Sequence, residues 1–309
     1  VVITTNAPAN GKMQVSYNMD ASFYIADLSD YNVCNAVEKL EIEKLAGMYT
    51  STMVNYQLTL NKWYNEKLAN IERGYDTYWL DKPLDAVAVA NKHSLRLDGG
   101  NDNIRYGIDL GYSNTPGVMK ESGRRRLALG MELQYIYKNL TFRNNLTYSN
   151  VKATNSPYGS FSTYAKRNPY VRYKDDDGNY IYKVDKYIPI GGGGLGKDYY
   201  NPLYNTTLNT IDEEKYNDVT NNFGMDWSIT DGVRLKGSFS FTHQNTYKDN
   251  FKPAKHTDFA VYGDDDFDRR GSYVGTRGEK YSYDASLVMT YFYQLDKHVI
   301  NANLGWNLQ

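Results

Sequence analysis

Ile104, Tyr106, Ile108, Leu110 and Tyr112 alternate with Arg105, Gly107, Asp109 and Gly111, a period of two that predicts a strand with one apolar and one polar face. After a break from Asn114 to Gly123 the pattern returns. Leu127, Leu129, Met131, Leu133, Tyr135 and Tyr137 face one way, against Ala128, Gly130, Glu132 and Gln134. Lys138-Asn139 then turns the chain. Leu140, Phe142, Leu146 and Tyr148 continue the apolar side, interrupted by Asn144, against Thr141, Arg143, Asn145 and Thr147. Three long antiparallel strands in succession make a meander. Strands of about nine residues or more are long for a soluble sheet and suit a tilted membrane-spanning strand.

The same alternation predicts six further strands. Before the meander, Met13, Val15, Tyr17, Met19, Ala21 and Phe23 form one, and Leu95 and Leu97 set against Arg96 and Asp98 form another. After it come Phe223 to Thr230, Val233 to Thr242, Tyr281 to Tyr293 and Ile300 to Leu308, with tight turns at Asp231-Gly232 and Asp296-Lys297. Between Asp27 and Ala90 the period becomes helical. Val37, Leu40 and Leu45 are closed by Gly47, and Met53, Tyr56, Leu60, Trp63, Lys67 and Ile71 by Gly74.

Short and long connections alternate strictly along this chain. Those after the second, fourth, sixth and eighth strands take about two to five residues, and the others run from about eleven to more than sixty. In a meander this gathers every tight turn on one rim and every long loop on the other, the asymmetry of an outer-membrane barrel. The expected fold is all-β: a partial antiparallel transmembrane β-barrel of about nine strands with a helical extracellular insert. The loops expected outside the membrane are 27–91, 113–123, 151–218 and 249–278. A soluble β-sandwich would mix loop lengths at both ends. The lumen would carry Arg105, Asp109, Arg143, Asp226, Arg234, Lys236 and Asp284, and Tyr135, Tyr137, Tyr291 and Tyr293 would form an aromatic girdle near the turns.

Composition narrows the classes further. A formal net charge of -1 gives no basic excess for nucleic acid. Mean hydropathy is -0.67, and no apolar run approaches the length of a membrane helix. A barrel is compatible with both numbers, since only one face of each strand is apolar. Cys34 is the sole cysteine, so the chain has no internal disulfide. No charged and apolar leader opens the sequence, so an outer-membrane location implies residues preceding Val1.

The residues resemble the plugged, TonB-dependent outer-membrane transporters of the SusC/RagA type. Val1-Val2-Ile3-Thr4-Thr5 is similar to the end of that family's plug domain, although Asn6-Ala7-Pro8 follows where basic residues are usual. Asp27-Leu28-Ser29-Asp30-Tyr31, Asp98-Gly99-Gly100-Asn101, Asn201-Pro202-Leu203-Tyr204 and the helical insert are similar to family stretches in order and spacing. The resemblance implies that residues 1–5 end a plug and residues 6–309 form the N-terminal part of a barrel. Nine strands would be a portion of a barrel of about 22. It implies active import of an oligosaccharide or peptide across the outer membrane of a Gram-negative bacterium. Its partners would be outer-membrane lipid, a SusD-type surface lipoprotein as lid, and the TonB energy-coupling complex, contacted through parts outside this chain. A passive porin or structural barrel without energy coupling is the alternative, as is a soluble adhesin.

No catalytic constellation is visible: His93, His243, His256 and His298 are scattered, and Cys34 has no evident base. The expectation is a protein that is not an enzyme and holds no cofactor. Asp264, Asp265, Asp266 and Asp268 could hold calcium by density of hard oxygen ligands, though the spacing and closing Glu of an EF-hand loop are missing. A solvated acidic turn paired with Arg269 and Arg270 is the plainer expectation, as is a solvated loop residue for His256. Asp175 to Asp177 before Gly178 reads as a hairpin tip. Tyr158, Tyr164, Tyr170, Tyr173, Tyr199, Tyr200 and Tyr204 crowd one loop. Such rings either stack on a sugar or partner protein or build the loop's own small core. The four glycines from Gly191 lack the P-loop's following Lys and read as a hinge.

Overall fold

The computed structural model describes residue 8 and residues 10–187 and 197–309, with backbone alone at Tyr187 and Asp264. The stretch Val1–Thr5 and the glycine run Gly191–Gly194 lie outside the described residues.

Nine strands form one antiparallel sheet: β1 (Gly11–Tyr24), β2 (Ala88–Gly100), β3 (Ile104–Pro116), β4 (Gly123–Tyr137), β5 (Leu140–Thr154), β8 (Ile211–Thr230), β9 (Val233–Lys252), β10 (Ser272–Leu295) and β11 (His298–Leu308). Each pairs with its neighbour in chain order. A separate hairpin pairs β6 (Lys183–Tyr187) with β7 (Lys197–Tyr200). The edges at β1 and β11 would need further strands in lipid, where no unpaired backbone group is tolerated. All nine expected strands are present. β8, β9 and β10, however, run to 20, 20 and 24 residues, well into stretches that the alternation left as loop. From Ile211 to Asn217 the outward positions carry Glu213, Lys215 and Asn217, so the ladder continues where the apolar signal has ended. Beyond the lipid both faces meet water, and hydrogen bonding alone extends the strand.

The turns sit where backbone geometry demands it. Lys138 and Asp296 open their hairpin turns at φ +51° and +49°. Gly100 adopts φ +150°, and a Cβ there would lie 2.2 Å from the Ile104 carbonyl oxygen. The side chain of Asn101 then accepts from the backbone N–H groups of Asn103 and Ile104 at 2.9 and 2.8 Å. The family-like stretch Asp98 to Asn101 is thus a turn that only glycine can enter.

Register reveals the tilt of the strands. Leu110, Leu129, Tyr148, Val219, His243 and Tyr281 occupy one continuous row of paired residues. From that row to the short turns the chain runs Ile104–Leu110 in β3, Leu129–Tyr137 in β4, Val219–Thr230 in β8 and Tyr281–Leu295 in β10. The distance lengthens steadily across the sheet. If the turns share a level rim, the strands lean, as closure into a barrel requires.

Two helices, α1 (Ala36–Leu45) and α2 (Val54–Glu72), fill the connection between β1 and β2. Asn35 caps α1 in a reciprocal box with Glu38: Glu38 N–H donates to Asn35 Oδ1 at 2.9 Å, and Asn35 N–H to Glu38 Oε2 at 3.0 Å. Together with the connection between β5 and β8, which includes the short helix α3 (Phe161–Ala165), they bury a core of their own. Ala36, Leu40, Tyr49, Leu60 and Trp79 meet Tyr164, Tyr170, Val171 and Leu203 there. This is a cap on the long-loop side. Backbone bonds tie it to the β3–β4 loop, from Asp85 N–H to the Val118 carbonyl at 3.0 Å and from Lys120 N–H to that of Pro83 at 2.8 Å.

Candidate functional site

The polar face of the sheet is its hollow face. A cavity of about 860 Å³ opens among Arg96, Asp109, Gly111, Arg126, Gly130, Glu132, Asn145 and Thr147, and a second of about 380 Å³ beside Arg143, Asp226, Lys236 and Ser238. Pairing places all seven charges expected in the lumen on this face: Arg105 lies opposite Gln134 and through it Arg143, Asp109 opposite Gly130, Asp226 opposite Lys236, Arg234 opposite Ser228, and Asp284 opposite Ser240. Not all of them act together. Asp226 joins Arg234, whose Nε donates to it at 2.6 Å.

The centre of the larger cavity was not among those seven. Arg96 Nη1 donates to both carboxylate oxygens of Asp109, at 3.0 and 2.8 Å, and the guanidinium reaches Asp98 at 3.4 Å and Glu132 at 3.8 Å. Room for it is left by Gly107, where a Cβ would come 3.2 Å from Arg96 Nη2. Fixed N–H groups facing three carboxylates make a cross-strand network on the polar face. Parity alone could have found it, since Arg96 and Asp98 sit between the apolar Leu95 and Leu97.

In the cap, the tyrosines divide. Tyr164 and Tyr170 are fully buried and belong to its core. Tyr158 and Tyr173 pack against that core with part of each ring open. Tyr199, Tyr200 and Tyr204 are half-buried: Arg167 lies 5.2 Å over the Tyr199 ring, and Tyr182 packs on Tyr200 and Tyr204 at 5.1 and 4.9 Å. The fully buried pair offers no surface to a ligand, because the loop's own packing consumes it.

Beneath these rings lies a buried ionic cluster that sequence reading missed. Lys67 Nζ donates to Tyr170 Oη at 3.0 Å and stands 3.8 Å from both Glu43 and Asp185. Tyr170 and Tyr49 in turn donate to Glu43, at 2.9 and 2.6 Å. Burial, reinforced by those carboxylates, drives both phenols far above the usual tyrosine range, so they remain donors. The signal was present: Lys67 occupies the apolar stripe of α2, and a lysine there must bring its counter-charges with it. Asn201 performs a related task. Fully buried, it donates to the carbonyls of Tyr173 and Ile181 at 3.0 and 2.9 Å and accepts from Leu203 N–H at 3.0 Å, which explains the Asn-Pro-Leu-Tyr stretch.

Asp266 pairs with Arg269 at 3.5 Å in the acidic turn. Among the described residues no three His, Cys, Asp or Glu side chains converge as a metal cage would, and the side chain of Asp264, one of the three candidate ligands with Asp266 and Asp268, lies outside them. Asp175 to Asn179 is a hairpin tip, with Asp175 N–H donating to the Asn179 carbonyl at 2.9 Å and Gly178 at φ +86°.

His256 is a buried capping residue rather than the solvated one expected. Its Nδ1 accepts from Asp258 N–H at 3.2 Å, and next to it Asn205 and Thr257 exchange bonds of 2.8 and 3.0 Å that dock the β9–β10 loop. Burial outweighs the attraction of Asp258 and holds the imidazole below its ordinary value near 6.5. A histidine whose folded value is depressed contributes its full stability above the unfolded value and loses it as pH falls below. Hydrogen-exchange protection across residues 253–262, taken relative to the intrinsic amide rate at each pH, is therefore expected to be high at pH 7.5 and to fall on acidification below about pH 6.5. In His256→Gln, that protection should be insensitive to pH over the same range.

No family model matches the chain. It is similar to TonB-dependent receptor P3 of Formosa agariphila, at 25% identity over 312 residues that cover 95% of this chain and 28% of that receptor. TonB-dependent receptor SusC of Bacteroides thetaiotaomicron is 27% identical over 155 residues, 49% of this chain and 14% of that protein. The RagAB peptide importer in its closed-closed state shares the fold with a TM-score of 0.71 at 15% identity, over 98% of this chain and 35% of that one. The chain spans less than a third of the length of the curated relatives it matches. Sequence likeness along nearly its whole length agrees with a partial barrel of separated faces, and the chain is similar, as one segment, to the TonB-dependent receptors of the SusC/RagA type.

Proposed function

We propose that the receptor containing this segment actively imports a large nutrient, an oligosaccharide or a peptide, across the outer membrane. The observation that carries this reading is the separation of faces. An inner wall of networked charge around Arg96 backs an outer belt of Leu, Met and Tyr, and a cap with its own core stands on the long-loop side. Such a wall wets a path for a polar cargo, and the cap gives that path a structured entrance. The half-buried Tyr158, Tyr173, Tyr199, Tyr200 and Tyr204 are the rings that such a cargo would meet. A surface lipoprotein of the SusD type acts as lid in this reading. Val37, Leu45, Val54 and Leu58 on the helical insert are 60 to 80% exposed and offer it an apolar footing. Energy reaches the transporter from the TonB complex through segments other than this one.

The test is uptake of a labelled oligosaccharide or peptide by cells carrying the receptor, with and without the energy-coupling complex. Uptake is expected to stop when the complex is deleted or the proton gradient is collapsed. Continued uptake in either condition would instead favour a passive barrel.

A further inference from the structure

Above the apolar belt, on the same outward face, Arg125 of β4, Lys152 of β5 and Lys215 of β8 lie directly opposite one another on three adjacent strands. The residue two positions nearer the turns is Leu127 on β4, and on the next two strands the continuous apolar face gives out at Tyr148 and Val219, with Ile211 beyond it at the start of β8. The cations therefore begin where the lipid-facing surface ends. With strands about 4.8 Å apart, the three span about 10 Å, and although the lean of the strands offsets their heights, that span still fits within one headgroup layer.

Their charge is incompletely answered by the protein. Glu213 serves both lysines, at 2.5 Å from Lys152 and 3.1 Å from Lys215. Arg125 donates only to the neutral side chain of Asn114, at 3.3 Å, and among the described residues it has no carboxylate partner. All three remain open to the surroundings, the lysine side chains by 41 and 48%. Like charges directly opposite on neighbouring strands repel, so a bare row of this kind is unfavourable unless an anion completes it.

We infer that Arg125, Lys152 and Lys215 form a binding site for the phosphate of an anionic glycolipid in the outer leaflet. The inference rests on the membrane-barrel reading, which supplies the height of the row. Charge complementarity chooses the occupant: the row lies at headgroup level, outside the barrel and away from the lumen. A phosphate there accepts the forked N–H groups of Arg125 and the ammonium of a neighbouring lysine together.

The experiment uses the complete receptor extracted from outer membranes. Wild type and the triple variant Arg125→Gln/Lys152→Gln/Lys215→Gln are reconstituted into phosphatidylcholine vesicles containing monophosphoryl lipid A or its dephosphorylated form, and bound glycolipid is counted by native mass spectrometry. Wild type should retain the phosphorylated lipid, and the triple variant should lose about a hundredfold in affinity, since each surface cation contributes about fivefold. Arg124→Gln, on the inward face beside Tyr216, should retain it. Equal retention by wild type and triple variant, or equal binding of the dephosphorylated lipid, would overturn the assignment while leaving the barrel intact. Complete displacement by millimolar inorganic phosphate would overturn it in favour of a free-anion site. Absence of the wild type from the outer-membrane fraction would overturn the barrel reading and this site with it.

Discussion

Lys67→Ala is expected to detach the two halves of the cap while leaving the barrel inserted. Lys67 is the cation between Glu43 and Asp185, and all three side chains are at least nine-tenths buried. Removing it leaves Asp185 without this counter-charge and Glu43 with the partly exposed Lys39 at 3.5 Å, and breaking a buried pair in this way costs about 3 to 5 kcal/mol. The loss falls on one joint, because Glu43 and Lys67 come from the β1–β2 connection while Tyr170 and Asp185 come from the β5–β8 connection. Hydrogen exchange over residues 36–72 and 161–173 should accelerate by about two to three and a half orders of magnitude, the equivalent of that energy. Heat-modifiable migration of the barrel should not change. The double replacement Glu43→Leu/Lys67→Leu should recover part of the protection, since it removes the cost of burying those two charges. Unchanged exchange in Lys67→Ala would mean that apolar packing around Leu60 and Trp79 holds the cap without the cluster.

Leu129→Arg and Leu287→Arg should each impair assembly into the membrane, whereas Ser240→Arg should be mild. Both leucines lie on the outward face within the apolar belt, and a guanidinium exposed to lipid costs about 2 to 4 kcal/mol near the midplane. Ser240 sits within the same span of its strand but faces inward. It donates to Asn222 Oδ1 at 2.6 Å and pairs across strands with Asp284, which would receive the new cation. The fraction of receptor reaching the outer membrane in folded, heat-modifiable form separates these cases. Equal damage at all three positions would mean that the inward and outward faces are not those of a barrel in lipid.

How far the fold was legible follows from where each strand runs. Within the lipid belt every strand solves the same problem, apolar outward and polar inward, so Leu127 to Tyr137 or Tyr281 to Tyr293 announces both its conformation and its orientation. Past the belt that contrast disappears. Ile211 to Asn222 is as much a strand as Phe223 to Thr230, yet its outward side carries Glu213 and Lys215, and only the ladders to β5 and β9 identify it. The candidate sites follow the same division. Arg96 was hidden less by its pattern than by the need to know that Asp109 lies directly opposite it on β3 and that Glu132 lies on β4 in the row of Asp98. The cap tyrosines could have served either packing or contact, because a ring's exposure depends on residues more than a hundred positions away.

By itself, the amino-acid sequence determined the properties that repeat locally: a period of two, tight turns on one rim, long connections on the other, and two helices marked by their stripes and closing glycines. These rest on backbone geometry and on the choice between lipid and water, which each short stretch makes for itself. Tertiary structure alone decided which charges meet. The Arg96 network, the union of Lys67 with Glu43 and Asp185, the burial of Tyr164, Tyr170 and His256, and the row of Arg125, Lys152 and Lys215 all depend on register between distant segments. Electrostatic partnership falls steeply with distance and exposure, and neither is defined until the chain has closed on itself.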